Sequence, residues 1–291
     1  MGDRAVPDIP IVDAHVHLWD PGRFRMPWLD DAPDLNRAIG LDDYRGATEG
    51  LEIDGFVYLE VDVAPAYALL EATFIARLAE REPLILGVVP FAPLESGDRV
   101  VTYLEAIVAL GPKIKGIRRL TQGEPDPNFC LHPGFVEGAR RLAQFDLSCD
   151  LCCTATQLGP TVELVRRCPE TNFILDHLGK PSIQDGQLDP WRAHIRELAS
   201  LPNAVCKISG AVTEADHHHW TIDDIKPYVL HALEAFGEDR VLFGSDWPVA
   251  TLASTYGRWV EALDALTVDL TTTARRKLWA DNARRVYRLS G

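Results

Sequence analysis

Apolar residues along this chain gather into eight short β-rich runs separated by longer stretches of helical spacing. The runs are residues 11–17 (IVDAHVH), 55–61 (GFVYLEV), 84–91 (LILGVVPF), 114–119 (IKGIRR), 147–153 (LSCDLCC), 172–177 (NFILDH), 204–209 (AVCKIS) and 240–246 (RVLFGSD). Each has strand length and is rich in Val, Ile, Leu and Phe, which suits a strand buried on both faces. Between them, residues 65–81 place Leu70, Phe74 and Leu78 on one helical face behind a proline suited to a first turn. Residues 97–111 repeat the pattern with Val100, Leu104, Ile107 and Val108, and a glycine ends the segment. Ile225, Val229, Leu233 and Phe236 mark a helix before the last strand, and Leu278 and Val286 mark a terminal one.

Strand and helix in strict alternation predict an α/β protein with a parallel sheet. Eight such units predict a closed (β/α)8 TIM barrel in a single domain spanning residues 1–291, close to the ~250 residues usual for that architecture. An open doubly wound sheet is the other arrangement of such units. Its dinucleotide-binding form has no support, because no Gly-x-Gly-x-x-Gly turn follows the first strand. One connection, residues 21–50, is too long for plain barrel geometry and predicts a β1–α1 loop that walls or covers a pocket.

Composition narrows the partners. With 29 basic against 43 acidic residues the net charge is −14, which disfavours nucleic acid and anionic membrane surfaces and favours a small molecule. Six cysteines without paired C-x-x-C spacing read as reduced, buried small residues. The first ten residues lack the apolar stretch of a secretory signal, and the apolar run at 84–94 is broken by Pro90 and Pro93, short of the ~18 residues a spanning helix needs. The expectation is a cytoplasmic protein whose oligomeric state is left open.

The ends of the eight runs carry the candidate chemistry, because the mouth of such a barrel lies at the carboxyl ends of its strands. The first ends in His15 and His17, two residues apart and so on one face. The others end at Glu60, at Arg118 and Arg119, near Asp150, at Asp176 and His177, near Lys207 and at Asp246. Charged groups there are costly unless paired, hydrated or bound to a metal. Alternation lets one of Arg118 and Arg119 face the mouth, places Asp176 opposite His177 as a structural residue, and gives an inward Lys207 a need for a carboxylate partner. Residues 217–219, three consecutive histidines, do not share a face and read as a loop.

The stretches DAHVHLWDP, FILDHLGKP, VCKISG, LFGSDWPV and NARRVY, in this order from about residue 11 to 287, resemble the amidohydrolase superfamily. The resemblance is closer to its branch of sugar-lactone and pyrone-dicarboxylate lactonases, and within that to enzymes opening aldonolactones such as L-fuconolactone. It implies a hydrolase in which Asp246 activates water. His177 and Arg118 are then the further catalytic candidates, stabilising the developing oxyanion. Trp28, Glu60, Arg119 and Trp247 are candidates for substrate contact. His15, His17, His177 and Asp246 form a donor set suited to one divalent metal such as zinc, though hydrogen bonds from arginine and histidine would serve without it. A binuclear centre is disfavoured: the fourth run ends in arginines rather than a modifiable lysine, Lys115 stands too early, and the fifth run has no histidine. Two alternatives stay open, a metal-dependent decarboxylase or hydratase of the same superfamily and a catalytically silent ligand-binding barrel.

Overall fold

The structure is a computed structural model describing residues 7–290. Eight strands, β1 (Ile11–Val16), β2 (Ile53–Leu59), β3 (Ile85–Val89), β4 (Gly116–Arg118), β5 (Ser148–Leu151), β6 (Phe173–Leu175), β7 (Ala204–Ile208) and β8 (Val241–Phe243), appear in the predicted order. They alternate with α1 (Leu41–Ala47), α2 (Ala68–Ala79), α3 (Val100–Val108), α4 (Pro133–Arg141), α5 (Leu158–Arg167), α6 (Trp191–Ala199), α7 (Ile222–Phe236) and α8 (Tyr256–Leu266), and the chain finishes with α9 (Thr272–Arg276) and α10 (Asn282–Val286). Observed strands stop short of the predicted runs at their carboxyl ends, where the residues leave the ladder and turn toward the mouth.

Strands β1 to β3 and β4 to β8 pair in parallel within two continuous sets. Two seams join the sets into a barrel. At one, β3 meets the approach to β4 through a Val88–Ile114 bridge, with Lys115 N–H donating to Val88 O at 2.9 Å. At the other, Val16 bridges Trp247, His17 N–H donates to Trp247 O at 2.8 Å, and Asp246 N–H donates to His15 O at 3.0 Å. Barrel closure therefore runs through residues at the candidate site.

Inside, Val12, Ala14, Val57, Leu59, Val89, Ile174 and Leu242 form an apolar cluster with Ala283, Tyr287 and Leu289 of the C-terminal segment. The helices pack outside. In α7, Ile225, Val229 and Phe236 are buried as predicted; Thr221 starts it, its amide and hydroxyl both donating to Asp224 at 2.8 Å, and Gly237 at φ +70° ends it. The predicted face of α2 is corrected. Its buried side is Ala68, Glu71, Ala72, Ile75, Ala76 and Ala79, while Leu70 and Phe74 are 56% and 36% exposed. The alanines let the helix approach the barrel closely, and the larger residues turn toward the segment after β1, where Arg23 stacks on Phe74 and Phe24 lies 6.0 Å from its ring. Residues 21–50 are largely ordered into short 3₁₀ turns at Pro27–Asp31 and Pro33–Leu35 followed by α1. No helix among the described residues is long and apolar enough to cross a membrane.

Asp13 fastens the β1–β8 seam from behind. Its Oδ1 accepts the amides of Ser245 at 2.9 Å and His15 at 3.1 Å, and its Oδ2 accepts the Tyr256 hydroxyl at 3.0 Å, so α8 is tied to the same carboxylate. Burial raises its pKa to about 6, against the lowering effect of those donors. Replacing Asp13 by Ala leaves buried donors without an acceptor and is expected to cost about 2–4 kcal/mol, read as a lower midpoint in denaturant unfolding at pH 7.

Glu71 sets a pH dependence. Its Oε1 accepts the Tyr58 hydroxyl at 2.7 Å and the Val61 amide at 3.0 Å, and burial, then the charge of Glu60, pushes its carboxyl up to about 8 from 4.5. Between those values the folded state holds a proton the unfolded chain has lost, so this group's contribution to stability falls as pH rises. Glu71→Gln keeps the acceptor and removes the titration. Its melting temperature relative to the unaltered protein is expected to rise between pH 5 and pH 8.5; a constant difference would contradict the assignment.

Candidate functional site

Three strand ends bring the four residues of the predicted ligand set together. His15 Nε2 lies 3.1 Å from His17 Nε2 and 3.6 Å from Asp246 Oδ1, and that oxygen is 3.5 Å from His17 Nε2 and 3.7 Å from His177 Nε2. All four residues are buried. Two glycines permit the approach. A Cβ on Gly244 would stand 2.9 Å from His15 Cβ, and one on Gly210, at φ +59°, would stand 2.7 Å from His177 Nδ1.

Hydrogen bonds fix the orientation of the imidazoles. Leu59 O is 2.9 Å from His17 Nδ1 and can only accept, so Nδ1 holds a hydrogen and Nε2 is the nitrogen turned toward the cluster. Arg118 Nη1 is 3.2 Å from His15 Nε2, while Lys207 Nζ at 3.2 Å and Asp176 Oδ1 at 3.3 Å both stand against His15 Nδ1. Burial, then the charge of Lys207, holds the His15 pKa well below its usual value, and burial lowers that of His177 to about 4. Burial alone would raise the pKa of Asp246, but the imidazoles of His177, His17 and His15 hold it well below the usual carboxylate range. Two imidazole Nε2 atoms face each other at 3.1 Å beside a carboxylate, an arrangement that fits a shared cation. Ligands ~2.0–2.1 Å from a tetrahedral zinc stand about 3.3–3.4 Å apart, near the spacings here. His15, His177 and Asp246 each offer one ligand atom within 4.8 Å of the others.

Below this set lies a charged layer. Lys207, fully buried, is 2.6 Å from Asp150 Oδ2 and 2.9 Å from Asp176 Oδ1, so it has two carboxylate partners. The Tyr287 hydroxyl also donates to Asp150 Oδ2. Asp176 is a correction to the alternation argument. It faces inward two residues after the interior Ile174, and His177 joins it because β6 ends at Leu175 and the chain turns left-handed, with φ +52° at His177, +57° at Leu178, +70° at Gly179 and +47° at Lys180. Each such non-glycine residue costs roughly 1–2 kcal/mol, which the surrounding packing offsets.

The two arginines separate as alternation requires. Arg118 faces in, its Nε donating to Glu60 Oε1 at 2.7 Å, and borders the cavity. Arg119, expected beside a substrate, instead turns outward to Glu95 at 3.1 Å and Glu124 at 2.6 Å and stacks on Phe129. Glu60 is buried behind Arg118 rather than on the cavity wall, its Oε2 accepting the Asp62 amide at 2.6 Å. Trp247, also expected at the mouth, is 3% exposed and packs edge-on against Tyr44, since the backbone after Asp246 turns it into the helix layer. Trp28 does line the cavity. Its indole N–H donates to Val61 O at 2.8 Å and its ring meets Trp19 at 5.3 Å between centroids. His217, His218 and His219 are exposed and outside the cavity lining.

The cavity above Asp246 measures about 180 Å³ and is walled by Trp19, Trp28, Val61, Leu120 and Val249. Sequence reasoning passed over Asp62, Gln122 and Lys180, which also line it. Lys180 stands in the quoted FILDHLGKP stretch, so a signal was present; Asp62 and Gln122 sit just past strand ends, where nothing in a single sequence marks an inward turn. A larger cavity of about 310 Å³ lies across Trp19, between Leu18, Phe24, Phe74 and Ile75, and lacks the histidine and aspartate cluster.

Comparison with known proteins agrees with this architecture. Residues 12–289 match the amidohydrolase family. An L-fucono-1,5-lactonase of Burkholderia ambifaria is 30% identical over 286 residues, covering 96% of this chain and 95% of that protein. An L-rhamnono-gamma-lactonase of Scheffersomyces stipitis is 24% identical, covering 96% and 98%. The crystal structure of an amidohydrolase from Burkholderia multivorans with bound zinc superposes with a TM-score of 0.88 at 30% identity, over 97% of this chain and all of that one. With eight strands closing around histidines of β1 and the end of β6 and an aspartate after β8, and with the match running almost end to end, the chain belongs to the amidohydrolase family.

Proposed function

We propose that this protein hydrolyses a sugar (aldono) lactone to the aldonic acid, with L-fucono-1,5-lactone the first substrate to test. The observation that carries the reading is Asp246: an ionised carboxylate at the floor of a small cavity, faced by imidazoles and an arginine and enclosed by two indoles. The relatives named for lactone hydrolysis support the reaction class.

Charge favours a neutral substrate over a dicarboxylate one. The cavity lining holds two cations, Arg118 and Lys180, and two carboxylates, Asp62 and Asp246, and each cation is already bound by a glutamate, Glu60 or Glu214. With these charges already balanced, an anionic lactone gains no net attraction to the resting pocket, whereas hydroxyl groups find donors and acceptors all round. The volume lies below the ~300–1,000 Å³ of drug-sized sites and suits one small ring. Trp28 and Trp19 offer flat apolar faces for it. The decarboxylase and silent-barrel alternatives have no comparable observation in their favour.

In this reading Asp246 Oδ1 takes a proton from water as its oxygen attacks the lactone carbonyl, and later returns that proton to the ring oxygen. Arg118, held by Glu60, directs N–H groups at the developing oxyanion. Ser209 Oγ, 3.0 Å from His177 Nδ1, decides what His177 offers: donation by the serine leaves an Nε2–H for the oxyanion, and acceptance leaves a lone pair. A zinc ion held by His15, His17, His177 and Asp246 would supply Lewis-acid polarisation of the carbonyl.

The test is a pH-indicator assay over a panel of aldonolactones and one pyrone dicarboxylate. At least one aldonolactone is expected to open, and Asp246→Asn should lower kcat by roughly 10²–10⁴-fold with the fold retained. Failure on the whole panel would overturn the proposal. Zinc binding is measured separately by calorimetry on chelator-treated protein; one equivalent is expected to bind, and the double substitution His15→Ala and His17→Ala to abolish it.

A further inference from the structure

The left-handed turn after β6 aims a second side chain. In a turn with three residues per revolution, positions three apart eclipse. His177 and Lys180 are so related, and both border the cavity. The turn is held by Lys180 N–H donating to His177 O at 2.8 Å and by the Trp191 indole donating to Leu178 O at 2.7 Å. Gly179 at φ +70° packs where a Cβ would meet Leu158 at 2.7 Å, so the turn is pinned from both sides.

The Lys180 ammonium has three N–H donors, and one goes to Glu214 Oε1 at 2.7 Å. No other described residue accepts from it within hydrogen-bond distance, which leaves two N–H groups for whatever fills the cavity. Arg118 spends Nε and one Nη2 hydrogen on Glu60 and one Nη1 hydrogen on His15, so it keeps one hydrogen on each Nη. As a stabilising pair, Lys180 and Glu214 at 21% and 23% side-chain exposure would contribute little, yet strained backbone is spent on aiming the lysine.

We propose that Lys180 binds the negative charge created during turnover, first on the carbonyl oxygen of the tetrahedral intermediate and then on the carboxylate of the product, while Glu214 balances the lysine's own charge in the resting pocket. This rests on the lactonase reading. Asp246 removes one proton from water, the new C1–O bond forms, the C1–ring-oxygen bond breaks with its electron pair on the ring oxygen, and the proton on Asp246 goes to that oxygen. The carboxylic acid formed loses its proton to solvent, and Lys180 stays an ammonium throughout. Glu214 then has a second consequence: it competes with the product for Lys180, which limits product inhibition.

The experiment compares the unaltered protein with Lys180→Met, Lys180→Arg and Glu214→Gln on L-fucono-1,5-lactone, with L-fuconate as inhibitor and the neutral alditol L-fucitol as control, alongside melting temperatures. Lys180→Met is expected to lower kcat by ~10²-fold with KM changed less than about threefold. It should also weaken L-fuconate inhibition by about tenfold or more, and Lys180→Arg should restore part of both. Glu214→Gln should tighten L-fuconate inhibition by about fivefold and leave L-fucitol binding unchanged. Unchanged kcat and L-fuconate inhibition in Lys180→Met overturn the assignment while the lactonase reading stands. So does equal loss in the Met and Arg variants together with a lowered melting temperature, which marks a structural role. If the unaltered protein opens no aldonolactone, the lactonase reading falls. Direct calorimetry of L-fuconate against L-fucitol, on the unaltered protein and Lys180→Met, then decides anion binding by itself.

Discussion

The seam between β1 and β8 is the constraint on which the rest of the molecule depends. The hydrogen bonds that close the barrel, Asp246 N–H to His15 O and His17 N–H to Trp247 O, belong to the residues that form the cluster, so the site cannot assemble without closure. Asp13 reinforces the seam from the helix side by holding the amides of His15 and Ser245. Backbone bonds thus set the separation of the side chains, and little is left to rotamer choice. A site built on strand ends is held more tightly than one built on loops, because a shift of any ligand would break a sheet bond.

Polar groups are stacked by depth beneath this seam. An apolar cluster with Tyr287 at its edge fills the barrel, the Lys207 pair with Asp150 and Asp176 lies above it, and the imidazoles and Asp246 lie above that. Burying Lys207 is costly unless it is paired, and two carboxylates satisfy it. One of them, Asp176, stands with Lys207 against His15 Nδ1, so the ring presents Nε2 to His17 and Asp246. Burial alone would raise the pKa of Asp176, but Lys207 and then His15 hold it well below the usual carboxylate range, so its charge persists at neutral pH. The charged layer is in this sense the foundation of the ligand set.

Particular residues show how far the sequence could be read. The eight strands were visible because buried parallel strands are continuous apolar runs, and His15, His17, His177 and Asp246 were visible because they end such runs abruptly. Alternation correctly allowed a single inward arginine on β4. It failed for the pair Asp176 and His177, which both face inward, and at Trp247, where the ladder has already ended and a period of two no longer applies. The helical face of α2 was misread for a different reason: alanines carry little hydrophobic signal, yet their small size is what lets a helix lie close to the barrel.

The order of strands and helices, the closed barrel they make, and the chemical types at the strand ends were written in the one-dimensional pattern, because periodicity and abrupt changes of polarity are local properties. Which arginine faces the cavity, that Glu60 serves Arg118 rather than the cavity, and that Lys180 stands over the same space as His177 were decided by the tertiary structure. Those outcomes depend on backbone direction after each strand has ended, and that direction is set by packing between elements distant in the chain, such as Trp191 against Leu178 and Gly210 against His177.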